Sequence, residues 1–216
     1  MAVKSIHTLI FDFDGTLADT ADGIVATATE TLHRLGVDGV TPEAIRATIG
    51  LPLGASLRIA GHLPEEKEAE AVAIYRELFA QLELTRIRLY PGVAETIREF
   101  AARGIPMAIA TSRGCNSLER ILSGWGLSSY FPVRATSADG FSSKPAPDMV
   151  LALLERLGAK AGETLVVGDT TFDIEMGNRA HCRTCAVTYG NHARERLLTA
   201  SPTWLIDEFA ALKQLL

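Results

Sequence analysis

Cysteine is scarce: Cys115, Cys182 and Cys185 are the three in a chain of 216 residues. That is too few for a disulfide framework of the kind that holds small secreted domains together. Basic residues are also in deficit. Lys and Arg number 21 against 26 Asp and Glu, a formal charge of −5, and no face-wide cationic excess is visible, which argues against nucleic acid as the main partner. No stretch reaches the roughly 18 apolar residues of a membrane span. No basic-then-apolar leader with a small-residue cleavage site opens the chain. A cytoplasmic protein that touches neither membrane nor nucleic acid is expected. Internal repeats, low-complexity tracts and long linkers are absent as well.

What is present is core-forming material, 47% apolar and 22% charged, enough for one large domain or a core with a small insertion. Residues 6–11, IHTLIF, make a short β-prone run that ends at an acidic, glycine-containing turn, DFDGT; this reads as a buried strand feeding a loop. Similar runs recur at Ile105–Ala110, Pro132–Ala135, Thr164–Val167, Thr184–Val187 and Trp204–Ile206. Helical patterns lie between them. Val93–Arg103 sets Ile97, Phe100 and Ala101 on one face, Cys115–Trp125 aligns Leu118, Ile121, Leu122 and Trp125, and Ala146–Leu157 stops at Gly158, a residue suited to the left-handed position past a helix end. The alternation predicts an α/β fold, a Rossmann-like parallel sheet with helices on both faces.

Residues 20–85 break the rhythm, with helical patterns and no convincing strand. Ile24, Ala28, Leu32 and Leu35 mark a first helix, Thr41-Pro42 opens a second with an N-cap and a proline at its first position, and Glu65–Leu84 carries Val72, Tyr75, Phe79 and Leu82 along one side. An all-helical insertion between the first and second core strands is expected.

Four chemistry-bearing elements fall at or near the ends of core strands, where ligands of open α/β sheets gather. The first is Asp12-Phe13-Asp14-Gly15-Thr16, with two carboxylates at i, i+2 on an extended segment and so on one side of it. Gly15 allows a sharp turn beside them. The second is Thr111-Ser112, whose hydroxyl and N–H groups can hold phosphate oxygens. The third is Lys144, just before a proline that starts a helix. The fourth runs from Gly168-Asp169 to Asp173, and a spacing of four puts Asp173 one helical turn after Asp169.

In order and spacing these four elements resemble the motifs of the haloacid dehalogenase superfamily, and the resemblance spans essentially the whole chain. The stretch DGTLADTADGIVATATETLHRLG is similar to the opening of phosphoglycolate-phosphatase-like members. The resemblance implies a helical cap over 18–87 and a catalytic core over 1–17 plus 88–216. It implies a Mg2+-dependent phosphatase acting on a small phosphorylated metabolite. Asp12 would be the nucleophile, forming an aspartyl-phosphate, and Asp14 the general acid and base. Mg2+ would be held by Asp12, Asp169 and the Asp14 carbonyl, with Asp173 in support. Lys144 and Thr111 would complete the catalytic set. Gly15, Thr16, Thr111, Ser112 and Lys144 would contact the substrate phosphate.

Each feature also has a blander reading. A lone DGT is an ordinary turn, most lysines are solvated, and Asp169 and Asp173 could simply favour a helix N-terminus. All four elements in order make coincidence a poor explanation. Cys182 and Cys185 form a single CxxC, loosely flanked by His181 and His192, and read as packed rather than metal-binding. His33 reads as structural, while His62, Arg58 and Arg46 are outside candidates for the substrate entrance. Trp125 and Trp204 read as core. Two departures from the family pattern stand out: Ser112-Arg113 where many relatives have Asn after the Thr, and His181 where many have Gly, a position that would strain another residue. Asp14 argues against dehalogenation, which has no use for a second aspartate. The absence of His shortly after DGT disfavours a phosphoglucomutase-like transfer. Pyrophosphate remains an alternative substrate, and an idle binding module would have lost Asp12, Asp14 or Lys144.

Overall fold

The computed structural model describes residues 5–216, with backbone alone over 80–86. Its strands are β1 (Thr8–Phe11), β2 (Ala18–Asp19), β3 (Arg88–Leu89), β4 (Met107–Ala110), β5 (Val133–Ala135), β6 (Thr164–Gly168), β7 (Arg183–Val187) and β8 (Trp204–Ile206). Six of them form one parallel sheet in the order β5-β4-β1-β6-β7-β8. β1 is central, pairing Leu9 with Met107 on one side and with Leu165 on the other. All four of its residues are buried, as a strand covered on both faces requires, and this is why it reads as an unbroken apolar run.

Side chains alternate between the two faces. Leu9 and Phe11 join a core with Ile97 and Phe100 of α5 (Val93–Ala102) and Leu118, Ile121 and Leu122 of α6 (Cys115–Gly124). Ile10 joins the opposite core with Met149, Val150 and Leu153 of α7 (Asp148–Leu157) and Met176 of α8 (Thr171–Arg179). Phe11 packs edge-on to Phe131 at 6.1 Å and against Phe209 at 5.7 Å; fully burying one such side chain contributes about 1.5–3 kcal/mol. A short α9 (Arg194–Thr199) precedes β8.

The six strands of the parallel sheet match expectation to within two residues, β2 and β3 were not foreseen, and α7 begins two residues later than its pattern suggested, after Pro147. Trp125 and Trp204 are half-buried rather than core: Trp125 stacks on Phe13 at 6.2 Å, and Trp204 carries the Arg183 guanidinium on its ring.

Between β2 and β3 the chain makes four helices, α1 (Ala21–Arg34), α2 (Pro42–Arg46), α3 (Leu53–Ala60) and α4 (Glu68–Arg86). β2 and β3 pair antiparallel, Ala18 with Leu89 and Asp19 with Arg88, so this ribbon is where the helical segment leaves and rejoins the core. Thr41 caps α2 as expected, accepting from the Ala44 N–H. Ala28 and Leu32 of α1 bury against α3 and α4, where Leu57, Tyr75 and Phe79 belong to the same cluster. Val72 is half-buried, and the Leu82 side chain lies outside the described residues. Among the described residues no helix is long and apolar enough to cross a membrane.

Candidate active site

The parallel register brings the C-terminal ends of β1, β4 and β6 to one edge of the sheet. The residues that follow them are Asp12, Thr111 and Asp169. Asp12 is 6% exposed, and its N–H bonds the Val167 carbonyl of β6 at 2.9 Å. Beyond it the chain turns tightly, with the Phe13 carbonyl accepting from Leu17 and Ala18 and the Gly15 N–H bonding the Ala18 carbonyl at 2.8 Å. Gly15 has φ +94, and a Cβ there would lie 2.1 Å from Asp169 Oδ2. No other residue fits that backbone and that gap.

Lys144 has no exposed side-chain surface. Its Nζ lies 2.5 Å from Asp12 Oδ1 and 2.6 Å from Asp173 Oδ1. Burial pulls the ammonium toward neutrality, but Asp12 and Asp173 more than offset this, so it stays firmly charged. Asp173 divides its oxygens: Oδ1 holds Lys144, while Oδ2 accepts from the Thr170 N–H at 3.0 Å and hydroxyl at 2.6 Å. The Thr170 hydroxyl in turn accepts from the Asp173 N–H, closing a capping box at the start of α8. The expected helical-turn relation between Asp169 and Asp173 does not hold, because Asp169 precedes the N-cap and lies off the helix. Lys144 and the cap bonds hold Asp173 beside the site instead.

Asp169 is fully buried. Its Oδ1 accepts from the Thr16 hydroxyl at 3.1 Å, and its Oδ2 from the Asn191 N–H and side-chain amide at 2.7 and 2.8 Å. Three of the roughly four acceptor positions of a carboxylate are therefore taken. Burial first, then Asp173, pushes its carboxyl up to about 7, against the restraining bonds from Asn191 and Thr16. Asp12 is also raised well above the usual range, chiefly by burial, with Lys144 opposing and Asp173, Asp169 and Asp14 adding.

Carboxylate oxygens of Asp12, Asp169 and Asp173 all lie within 4.8 Å of one another. Three buried carboxylates against one ammonium leave negative charge uncompensated, and the donors are all oxygen. Such all-oxygen, negatively charged surroundings suit a hard divalent cation.

Gly15 and Thr16 fall at the site in a different role from the one expected. Their N–H groups are closed inside the turn, and the Thr16 hydroxyl orients Asp169, so both support a carboxylate rather than offer donors to a phosphate. Thr111 is buried, with its N–H on the Ala135 carbonyl and its hydroxyl accepting from the Arg113 N–H at 3.1 Å. Ser112 reaches across to the helical segment, its hydroxyl donating to the Gly50 carbonyl at 2.9 Å. Asp14 is paired with Arg113, a contact the sequence did not reveal.

Sequence reasoning also missed Gly190 and Asn191. A Cβ on Gly190 would come within 2.3 Å of Asp169 Cβ, so the loop after β7 presses directly on the metal-capable cluster. The available signal was a Tyr-Gly-Asn turn immediately after a core strand.

Asp12 and Asp14 line a cavity of about 530 Å³. Residues 111–117, Arg120, Ser137 and Ala138 line its core side, and Ile24, Ile49, Leu51, Tyr75 and Phe79 are among those from the helices. The outside candidates for the entrance are placed elsewhere: Arg58 pairs with Glu68 and Arg46 with Asp22, and His62 is absent from the lining. Cys182 and Cys185 are buried, and burial pushes both thiols up to about 12. His181 does take the left-handed backbone that its position foretold, with φ 58.

Comparison with known proteins agrees with this geometry. The model of the haloacid dehalogenase-like hydrolase family matches residues 9–187. Probable phosphatase IndB of Dickeya dadantii is 37% identical over 206 residues, covering 94% of this chain and 90% of its own. The phosphoglycolate phosphatase of Vibrio parahaemolyticus is 30% identical, covering 98% and 96%. A crystal structure described as a predicted phosphoglycolate phosphatase from Haemophilus somnus superposes with a TM-score of 0.88 at 22% identity, covering 97% of each chain, and so attests the fold. The chain therefore belongs to the haloacid dehalogenase-like hydrolase family, as a phosphatase of its phosphoglycolate-phosphatase-like branch.

Proposed function

We propose that the protein is a Mg2+-dependent phosphatase that hydrolyses small-molecule phosphate monoesters through an aspartyl-phosphate on Asp12. The observation that carries this is Asp12 itself, held by Lys144 at the end of β1 and lining a cavity between the core and the helical segment. An oxygen of Asp12 attacks phosphorus in line, and the bond from phosphorus to the ester oxygen breaks. Asp14 gives its proton to the departing alkoxide. Asp14 then takes a proton from water as that water attacks the phosphorus of the acyl phosphate, which releases inorganic phosphate and restores Asp12.

Lys144 balances charge beside Asp12 throughout, and the Thr111 hydroxyl and Ser112 N–H hold phosphate oxygens. Asp12 and Asp169, with the Asp14 carbonyl, would hold Mg2+, which when bound supplies Lewis-acidic charge against the phosphate. Asp173 keeps Lys144 in place. The named relatives suggest 2-phosphoglycolate or a near analogue as substrate. The cavity is roomy enough for sugar or nucleoside phosphates as well, since pockets of about 300–1,000 Å³ enclose drug-sized ligands. Buried free thiols fit a reducing compartment, the cytoplasm.

Phosphate release by wild type and Asp12→Asn, with and without Mg2+, over a panel of 2-phosphoglycolate, pyrophosphate, nucleoside monophosphates and sugar phosphates tests the reading. Release should require Mg2+ and fall roughly 10³-fold or more in the variant. Turnover that survives in Asp12→Asn would remove the covalent step.

A further inference from the structure

Arg113 occupies an unusual position for a side chain so close to the chemistry. Its Nε donates to Asp14 at 3.0 Å (Oδ2) and 3.2 Å (Oδ1), its Nη2 donates to Asp14 Oδ1 as well, and its Nη1 donates to Ser117 Oγ at 2.7 Å. The side chain is 7% exposed, and its partner Asp14 is 16% exposed. The guanidinium also lies over two rings. Phe13, the residue between the two aspartates, has its centroid 5.4 Å away, and Phe79 of α4 has its centroid 5.1 Å away. The Arg113 backbone is fixed as well, its N–H on Thr111 Oγ1 and its carbonyl accepting from Ser137.

A planar, two-toothed donor held at both ends fixes the orientation of a carboxylate in a way that a point charge does not. The carboxylate it fixes is the one that must reach the leaving oxygen. General-acid transfer needs hydrogen-bond distance and alignment, and a misplacement of about 1 Å can cost about a hundredfold. The guanidinium packs on the ring of a residue of the helical segment, Phe79, so the seat of Arg113 depends on where α4 sits.

We infer that Arg113 is a positioning residue for Asp14: it aims the proton-donating carboxylate at the leaving oxygen and ties that aim to the placement of α4 on the core. The inference rests on the reading of Asp14 as general acid given above.

The test exploits the fact that a departing alkoxide needs a proton while a p-nitrophenolate does not. The value of kcat/KM reports steps up to leaving-group departure, so the readout is the ratio of kcat/KM for an alkyl phosphate to that for p-nitrophenyl phosphate. Asp14→Asn should lower this ratio about 10²-fold or more. Arg113→Met should lower it at least about tenfold, Arg113→Lys by less, and Arg113→Met added to Asp14→Asn should lower it no further. Phe79→Leu should shift it in the same direction.

A ratio unchanged in Arg113→Met overturns the inference, as does a ratio that drops equally in the Asp14→Asn background. A ratio unchanged in Phe79→Leu overturns the tie to α4. If Asp14→Asn itself leaves the ratio unchanged, the general-acid reading of Asp14 fails first, which separates the two failures. Folding of each variant is checked by thermal melting, and a ratio of two substrates on one protein is unaffected by the fraction that is folded.

Discussion

Asn191 gives both its N–H and its side-chain amide to one oxygen of Asp169, while Thr16 donates to the other. These bonds fix which lone pair of Asp169 remains for a cation. Partners of this kind, one step removed from a metal, are commonly worth 10–100-fold in affinity or activity. Asn191→Ala is expected to raise the Mg2+ concentration for half-maximal activity by about that factor while leaving the KM for substrate within about twofold. A Mg2+ titration at saturating substrate reads this directly, and an unchanged midpoint would mean the loop only packs against the site. The contrast with what the sequence disclosed is instructive. Asp12, Asp14 and Asp169 were legible because carboxylates at or just past the ends of apolar strands need a reason to be there, and Lys144 and Asp173 because they follow in the order of the four motifs. Asn191 and Gly190 were not, because asparagine and glycine are at home in any turn and their meaning comes only from how closely the β7 loop approaches Asp169. Arg113 was visible as a departure from pattern, yet its partner is 99 positions away and nothing local pointed to it.

α6 is joined to its neighbouring strand by a polar knot. Glu119 accepts from Ser123 and Ser128 at 2.6 and 2.8 Å and pairs with Arg134 of β5. The bonds from Ser123, Arg134 and Ser128 lower the Glu119 carboxyl to about 2 in the folded protein, against about 4.3 for a free glutamate. Because the folded value lies below the unfolded one, the stabilisation is fully present above about pH 4.3 and is lost as pH falls toward 2. The melting temperature of Glu119→Gln should therefore lie below that of wild type at neutral pH, and the gap should close as pH falls through that window. A gap independent of pH would assign the effect to packing. At this scale the long, strongly patterned elements were the readable ones. The β-prone runs of the sheet and the apolar faces of α5, α6 and α7 carry their period in the residues themselves. The eight-residue α3 and the two-residue strands β2 and β3 are too short for a pattern to stand out. They exist because α1 and α4 give α3 a surface to pack on, and because a chain that leaves the core and returns at one place brings its two crossings side by side.

Across the whole molecule, the contacts that join the helical segment to the core around the cavity include the Ser112 hydroxyl on the Gly50 carbonyl, and Phe79 over Arg113. The chain crosses between the two parts at the β2–β3 ribbon. A cavity that a substrate must enter, walled by two parts joined through one ribbon, leads us to expect motion about that ribbon. Scattering from the protein with Mg2+, with and without saturating vanadate as a phosphate mimic, should give a smaller radius of gyration in the bound state, and superimposable curves would argue for a fixed cover. The net charge of −5 also takes on a different meaning at this scale. A negative protein handling a negative substrate relies on cations gathered by the fold, and Arg76 of α4, Arg113 and Arg120 around α6, and Lys144 come together from three parts of the chain. Composition could pose that question but could not answer it. The division of the cavity wall has a further consequence. The groups that would break and remake the phosphate bond come from strand ends and the loops beside them, while most of the apolar lining that a leaving alcohol would meet comes from α1, the α2–α3 connection and α4. Inheritance can therefore edit the two independently: replacing the segment between the ribbon strands would retarget the same chemistry to a new alcohol, like a tool that keeps its motor and changes its bit.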